Sequence, residues 1–146
     1  MSLVAWAESG WLLAHETSAH EVRGLLRAAA AEITDAEKDI SAGSRFSIAY
    51  GAALRLCSIV LFAAGFHAAR DQKHYRTIAA LPLVLGPGAR EQSQFLDRCR
   101  VKRHEVTYEF VDSVSNAEVD ELIEAVRELE TQVHDWLARH HPHLLA

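Results

Sequence analysis

The sequence contains few of the residues that cross-link a chain or interrupt a helix. Its 146 residues include only two cysteines, three prolines and seven glycines. Two thiols cannot build the disulfide framework of a secreted domain, so we expect Cys57 and Cys99 to be buried as small apolar residues. No Lys or Arg precedes Arg23, and we therefore expect no secretory signal. These absences favour a cytoplasmic protein.

Several functional motifs are also missing. The glycine-rich stretch Gly86-Pro87-Gly88 lacks the Lys and Ser/Thr of a phosphate-binding loop. There is no Gly-x-Ser-x-Gly elbow and no Cys–His nucleophile signature. The most apolar segment, between Arg55 and Arg70, has 14 residues, whereas a spanning helix needs about 20. We therefore expect no membrane association.

The composition is that of a folded chain with an acidic surface. Apolar residues make up 49% and charged residues 24%, which is enough to build a core. The net charge of −5 excludes a generally basic nucleic-acid coat protein but leaves room for a local basic site. Alanine (24) and leucine (17) greatly outnumber threonine (5) and isoleucine (6), a balance that favours helix over strand.

The periodicity of apolar residues predicts a single all-α domain over residues 1–146. Apolar side chains recurring at threes and fours give helices over about 2–14, 19–41, 44–65, 73–85, 89–111 and 116–140. Capping boxes at Ser18 and Ser115 begin two of them, and Gly43 is expected to end the second. Pro82 should distort the fourth helix. We expect a bundle of five to six helices, with 44–65 as its central and most buried member.

A run of basic residues on the fifth predicted helix is the candidate functional site. Arg98, Arg100, Lys102 and Arg103 place four of the 15 basic residues within six positions. Arg103 also falls in the apolar stripe of its helix, three residues before Val106. An arginine in such a stripe needs an anion, a subunit seam or an internal salt bridge, because burying it unpaired is costly. All three alternatives are open at this point.

The neighbours of Arg103 suit RNA chemistry. His104 and Tyr108 follow it, and Arg, His and Tyr are the side chains that hold a phosphate and move protons in metal-free RNA cleavage. His74, at a predicted helix start, could join them if its loop folds against the fifth helix. The histidines near the C-terminus have no companion cysteine pair, and we expect no metal site and no cofactor.

These segments together resemble HEPN domains (higher eukaryotes and prokaryotes nucleotide-binding). The stretch RVKRHEVTY (100–108) is similar to the family signature of an Arg followed by a His or Tyr. FSIAYGAAL (46–54) resembles its helix with an Ala-Tyr pair, and KHYRT (73–77) resembles the His-bearing entry to its next helix. The resemblance covers about residues 15–140.

The resemblance implies a helical bundle that forms a homodimer, with the motifs of two subunits meeting across the axis. Many members are metal-independent endoribonucleases, some of them toxins paired with a nucleotidyltransferase antitoxin. On this basis Arg103, His104 and Tyr108 are the candidate catalytic residues. In this alignment to the family motif, Arg103 takes the Arg position and Tyr108 stands where active members carry His, and tyrosine is a poor base near neutral pH. A second alignment would pair Arg98 with His104.

The sequence thus predicts binding of RNA or a nucleotide at a basic dimer seam, with weak or no cleavage. Arg98, Arg100, Lys102 and His74 are the predicted nucleotide-binding residues. The alternative from another class is a non-catalytic protein-interaction module, for example a partner of a nucleotidyltransferase, in which the basic run contacts an acidic surface. A third hypothesis is purely structural, with Arg103 paired inside its own subunit.

Overall fold

The computed structural model describes residues 1–108 and 113–146, without the side chains of Thr107 and Tyr108. Its helices are α1 (Leu3–Glu8), α2 (Ala19–Ala36), α3 (Ala42–Ala63), α4 (Lys73–Ala79), α5 (Leu81–Leu85), α6 (Arg90–Tyr108) and α7 (Asn116–His140). Two short strands, β1 (Leu12–Ala14) and β2 (Phe66–Ala68), and the 3-10 turns Pro87–Ala89 and Pro142–Leu145 complete the described chain. The predicted all-α helical bundle is confirmed.

Helix α3 is the centre of the bundle, as its composition predicts. Ser41 caps it by accepting a hydrogen bond from the backbone N–H of Ser44. It packs against α2, α6 and α7, and half of its residues are buried. By length and hydropathy alone α3 could also cross a membrane, but more than half of its most apolar window is buried in the bundle. Central core helices pass that test too, so it is weak evidence.

The prediction of a helix over about 2–14 is wrong beyond Glu8. Gly10, at φ +79°, turns the chain after α1, and β1 then pairs antiparallel with β2, Leu13 opposite His67. The segment between the third and fourth predicted helices therefore begins with a strand. Trp6 and Leu12 are buried in a small second cluster with Leu61, which favours this hairpin over a longer helix.

The boundary between α2 and α3 also differs from the prediction. Helix α2 ends at Ala36 rather than near 41, and Gly43 lies inside the first turn of α3 instead of ending α2. Arg45 explains the early end, since its Nε donates to the carbonyl oxygen of Ala36 at 2.7 Å and satisfies a terminal acceptor of α2. Ile40, inside the helix predicted over about 19–41, lies beyond the end of α2 and is exposed.

The second half of the bundle agrees more closely with the sequence. The expected distortion at Pro82 appears as a break between α4 and α5. Ser115 and Glu118 form the predicted capping box of α7. Cys57 and Cys99 are buried free thiols, as predicted. The end of the fifth predicted helix, at 111, lies outside the described residues.

Helices α4 and α6 pack side by side, and this contact positions the candidate site. The buried side chains on α6 follow one another at intervals of three, three and seven residues: Ser93, Leu96, Cys99 and Val106. Arg103 fills the gap in that series and is partly buried. The hydroxyl of Ser93 donates to the carbonyl oxygen of Ile78 in α4 at 2.9 Å, so the two helices are joined by a buried hydrogen bond.

Candidate functional site

A cavity of about 710 Å³ lies between the start of α4 and the middle of α6. We call it the cationic cavity; its lining residues are Arg70, Gln72, Lys73, His74, Tyr75 and Arg100. Three of these six side chains carry a positive charge, and none carries a negative one. Such a surface attracts an anion, above all a phosphate, which accepts several charge-assisted hydrogen bonds.

Arg100 is held in position at the cavity from two sides. Its Nε donates to Oδ1 of Asp97, one turn earlier on α6, at 2.8 Å. Its guanidinium carbon lies 5.4 Å from the centroid of the Tyr75 ring, within cation–π range. Tyr75 itself is 41% exposed, so its ring keeps surface for a further contact.

Arg103 lies one turn after Arg100 on α6, near His74 and Tyr50. Its Nε is buried and has no hydrogen-bond partner among the described residues. Within the same part of the chain, no carboxylate forms an ion pair with Arg103. The internal salt bridge of the structural hypothesis is therefore not found among residues 1–106 and 113–146. A buried donor of this kind gains when an incoming acceptor reaches it.

Tyr50 brings a second buried polar atom to the same region. It is 2% exposed, as expected of a core residue on α3. Its hydroxyl is buried without a hydrogen-bond partner in the described chain. Burial raises the pKa of this phenol far above its usual value, while Arg100 and Arg103 act in the opposite direction. The phenol therefore stays neutral and sits within the field of both guanidinium groups.

The protonation of His74 is affected by the cations that surround it. Partial burial and then the charges of Arg103, Lys73 and Arg100 hold its pKa below the usual value. The imidazole is consequently neutral near pH 7, and it can accept a proton there. Because His74 and Arg100 line the same cavity, the structure brings His74 to the basic helix.

The backbone at the entry to α4 is unusual. Gln72, which precedes the helix, has φ +52° and ψ +38°, in the left-handed region. Apart from glycines, no other described residue has a positive φ. This conformation costs free energy for a residue with a Cβ. It occurs at a residue that lines the cationic cavity, immediately before Lys73 and His74.

Arg98 and Lys102 lie on the other side of α6, towards α7. They line a separate cavity of about 220 Å³ together with Glu118 and Glu121. The Nζ of Lys102 is 3.8 Å from Oε2 of Glu118 and 4.0 Å from Oε2 of Glu105. Of the four predicted nucleotide-binding residues, the structure therefore brings His74 and Arg100 together and separates both from this pair.

The predicted catalytic residues are only partly described. Arg103 lies close enough to His74 to shift its pKa. His104 is exposed on α6. The side chain of Tyr108 lies outside the described residues, so the predicted constellation of Arg103, His104 and Tyr108 stays a prediction.

Sequence reasoning left Arg70, Lys73 and Tyr75 outside its predicted site. The available signal was their density around His74, since three basic residues and one tyrosine surround it within 70–76. At the C-terminus, Trp136 packs against His140 and His141. In the described part of the chain, no group of three or more His, Cys, Asp or Glu residues is arranged to hold a metal ion.

Comparisons with known proteins add no further constraint. No family model, no curated protein and no solved structure matches this chain.

Proposed function

We propose that this protein binds the phosphate groups of RNA or of a nucleotide in the cationic cavity between α4 and α6. The observation that carries the proposal is the buried Nε of Arg103, which has no partner in the described chain and lies near a cavity lined by three other cations. An arriving phosphate would neutralise the mutually repelling charges of Arg70, Lys73 and Arg100, and the charge of Arg103 beside the cavity would add to the attraction. Inorganic or small-molecule phosphates share this chemistry, and the test below distinguishes them from RNA.

The resemblance to HEPN domains supports the same proposal from the sequence. On that analogy the protein forms a homodimer with its basic helix near the seam, and its context is of the toxin–antitoxin type. The match at RVKRHEVTY covers the arginine that the structure leaves unpartnered within the described residues. The shared element is therefore anion binding by Arg103.

Ribonuclease activity is a secondary part of the proposal. A neutral imidazole next to a bound phosphodiester can accept the proton of a 2′-hydroxyl. His74 has a lowered pKa and lies among three cations that would hold the phosphate. We therefore expect any cleavage to be slow, independent of metal ions, and dependent on both His74 and Arg103.

The decisive experiment measures binding of a short fluorescent single-stranded RNA by anisotropy, with unlabelled RNA and inorganic phosphate as competitors. Arg103→Ala and Arg100→Ala should each weaken RNA binding about tenfold, the value of one charge-assisted contact. Arg98→Ala is the matched control, because Arg98 is on the same helix but lines the cavity facing α7. It should change the affinity less than about twofold.

Two results would contradict the proposal. One is equal RNA affinity in the wild type and Arg103→Ala; the other is a loss in Arg98→Ala as large as that in Arg103→Ala. Binding of inorganic phosphate in a calorimetric titration, with no binding of the labelled RNA, would identify a small phosphate compound as the ligand. Absence of any binding by the wild type would favour the protein-interaction module instead. A denaturing gel run with EDTA present tests cleavage with the same variants.

A further inference from the structure

The cationic cavity has a second pocket beside it. This side pocket, of about 320 Å³, lies between α2, α3 and α4. Lys73 and His74 line both spaces, so they form the common wall. Both volumes fall in or near the range of roughly 300–1,000 Å³ that is typical of small-molecule sites. A ligand with two chemically different halves could occupy both at once.

The walls of the side pocket differ in chemistry from those of the cationic cavity. Leu25, Leu54 and Phe62 contribute half-buried apolar surface. Ser58 and Glu32 contribute oxygen atoms, and the Ser58 hydroxyl donates to the carbonyl of Leu54 at 2.9 Å. Its lone pairs are therefore available as acceptors. Arg55, Lys73 and Thr77 also line the pocket and supply donors. Apolar surface with fixed acceptors and nearby donors suits a flat ring that carries both N–H donors and an acceptor oxygen.

Glu32 is fixed in the side pocket by its neighbours on α3. Its Oε1 accepts a hydrogen bond from Nε of Arg55 at 2.6 Å. Its Oε2 lies against Gly51, where an added Cβ would come within 3.1 Å of that oxygen. Glycine at this position allows the carboxylate to lie close to the α3 backbone. No hydrogen bond to Oε2 occurs among the described residues, so this oxygen can accept one from a ligand.

We propose that the two spaces form one bipartite site for a purine nucleotide, with its phosphate in the cationic cavity and its base in the side pocket. Guanine fits best, because its N1–H and amino group place two donors on one edge and a carboxylate accepts from such donors. This inference rests on the phosphate binding proposed above. The cationic cavity alone would accept any phosphate compound, whereas the side pocket would select those that carry a guanine base. The proposed ligand is GMP or a guanine nucleotide of RNA.

Calorimetric titration of the full chain with GMP, ribose 5-phosphate and inorganic phosphate tests the site. GMP should bind about tenfold or more tightly than ribose 5-phosphate, the gain expected from apolar contact and hydrogen bonding of one base. Glu32→Gln should remove most of that advantage and leave the affinity for ribose 5-phosphate within about twofold of the wild type.

A second variant closes the side pocket sterically. Leu54→Trp should abolish the advantage of GMP without weakening binding of inorganic phosphate. Leu13→Trp is the matched control, since Leu13 is an exposed leucine of β1 that lines neither space. Circular dichroism of each variant checks its fold, and Glu32→Gln keeps the test valid should Leu54→Trp fail to fold.

The outcomes separate the two proposals. Equal affinities for GMP and ribose 5-phosphate, with phosphate still bound, would overturn the bipartite site and leave the proposed function standing. A GMP advantage that persists in both Glu32→Gln and Leu54→Trp would overturn it as well. No binding of any of the three ligands would overturn both.

Discussion

At the start of α4, the His74 imidazole lies in the field of three positive charges. Partial burial and the charges of Arg103, Lys73 and Arg100 lower its pKa. We expect an NMR titration to give His74 a pKa below the ordinary value of about 6.5. Arg103→Ala should raise that pKa because it removes a positive charge that repels the imidazolium. Added phosphate should also raise it, because the bound anion offsets the surrounding positive charges.

The control for this titration is again Arg98→Ala, which should leave the pKa of His74 unchanged. The linked effect on stability has a definite sign. Because the folded state resists protonation of His74, the unfolded state binds more protons below about pH 6.5, and stability falls as the pH drops through that range. An unchanged pKa of His74 in Arg103→Ala would show that the two residues are not electrostatically coupled.

The residues of the candidate site differ in how far the sequence could predict them. Arg103 stands out because a charged residue interrupts an apolar series at helical spacing, and the structure leaves its Nε buried without a described partner. The separation of Arg98 and Lys102 from Arg100 follows from helical spacing, which puts positions 98 and 102 on one side of α6 and position 100 about 160° away, but the neighbours that each side meets could not be predicted. A helical wheel gives directions around one axis but does not say that α4 lies on one side of α6 and acidic residues of α7 on the other.

At the scale of elements, the site depends on how α6 is seated against α4. The hydroxyl of Ser93, 7% exposed, donates to the carbonyl of Ile78. Ser93→Ala removes the donor and leaves a buried carbonyl with one bond fewer, so urea unfolding should show a loss of about 1–2 kcal/mol. The RNA affinity should fall as well, because Arg100 and Arg103 are carried on the same helix.

Ser47→Ala serves as the comparison for that measurement. Ser47 is half-buried on α3, and no side-chain hydrogen bond of Ser47 is found in the described chain. Its substitution should change the unfolding free energy by less than about 0.5 kcal/mol. If Ser93→Ala were equally neutral, the hydrogen bond between α4 and α6 would not be what holds the two helices in register.

The elements that sequence reasoning missed share one physical cause. Strands of three residues, such as Leu12–Ala14, are too short to display an alternating pattern. Their formation depends on a partner strand more than 50 residues away in the chain. The long helices were predictable because each carries its own apolar stripe and cap. The end of α2 was not, because Arg45 of the next helix satisfies its last turn.

At the scale of the whole molecule, the cationic cavity exists on a protein with a net charge of −5. Glu118, Glu121, Glu124 and Glu128 are exposed along α7. Long-range attraction of RNA is therefore weak, and the protein should bind RNA only where local cations concentrate. For the proposed RNA ligand, these carboxylates would repel an approach along α7 and so favour the α4–α6 side.

This arrangement predicts how RNA binding responds to salt. Four cations, Arg70, Lys73, Arg100 and Arg103, lie at or beside the cavity. Since each neutralised phosphate of a single strand contributes about −0.7, a plot of log affinity against log salt concentration should have a slope between about −2 and −3. Arg103→Ala should make the slope less steep by about 0.7, and Arg98→Ala should not change it. A slope near zero would mean that phosphates are not what this surface binds, while a slope much steeper than about −3 would require cations beyond the cavity, such as those of a second subunit at a shared seam.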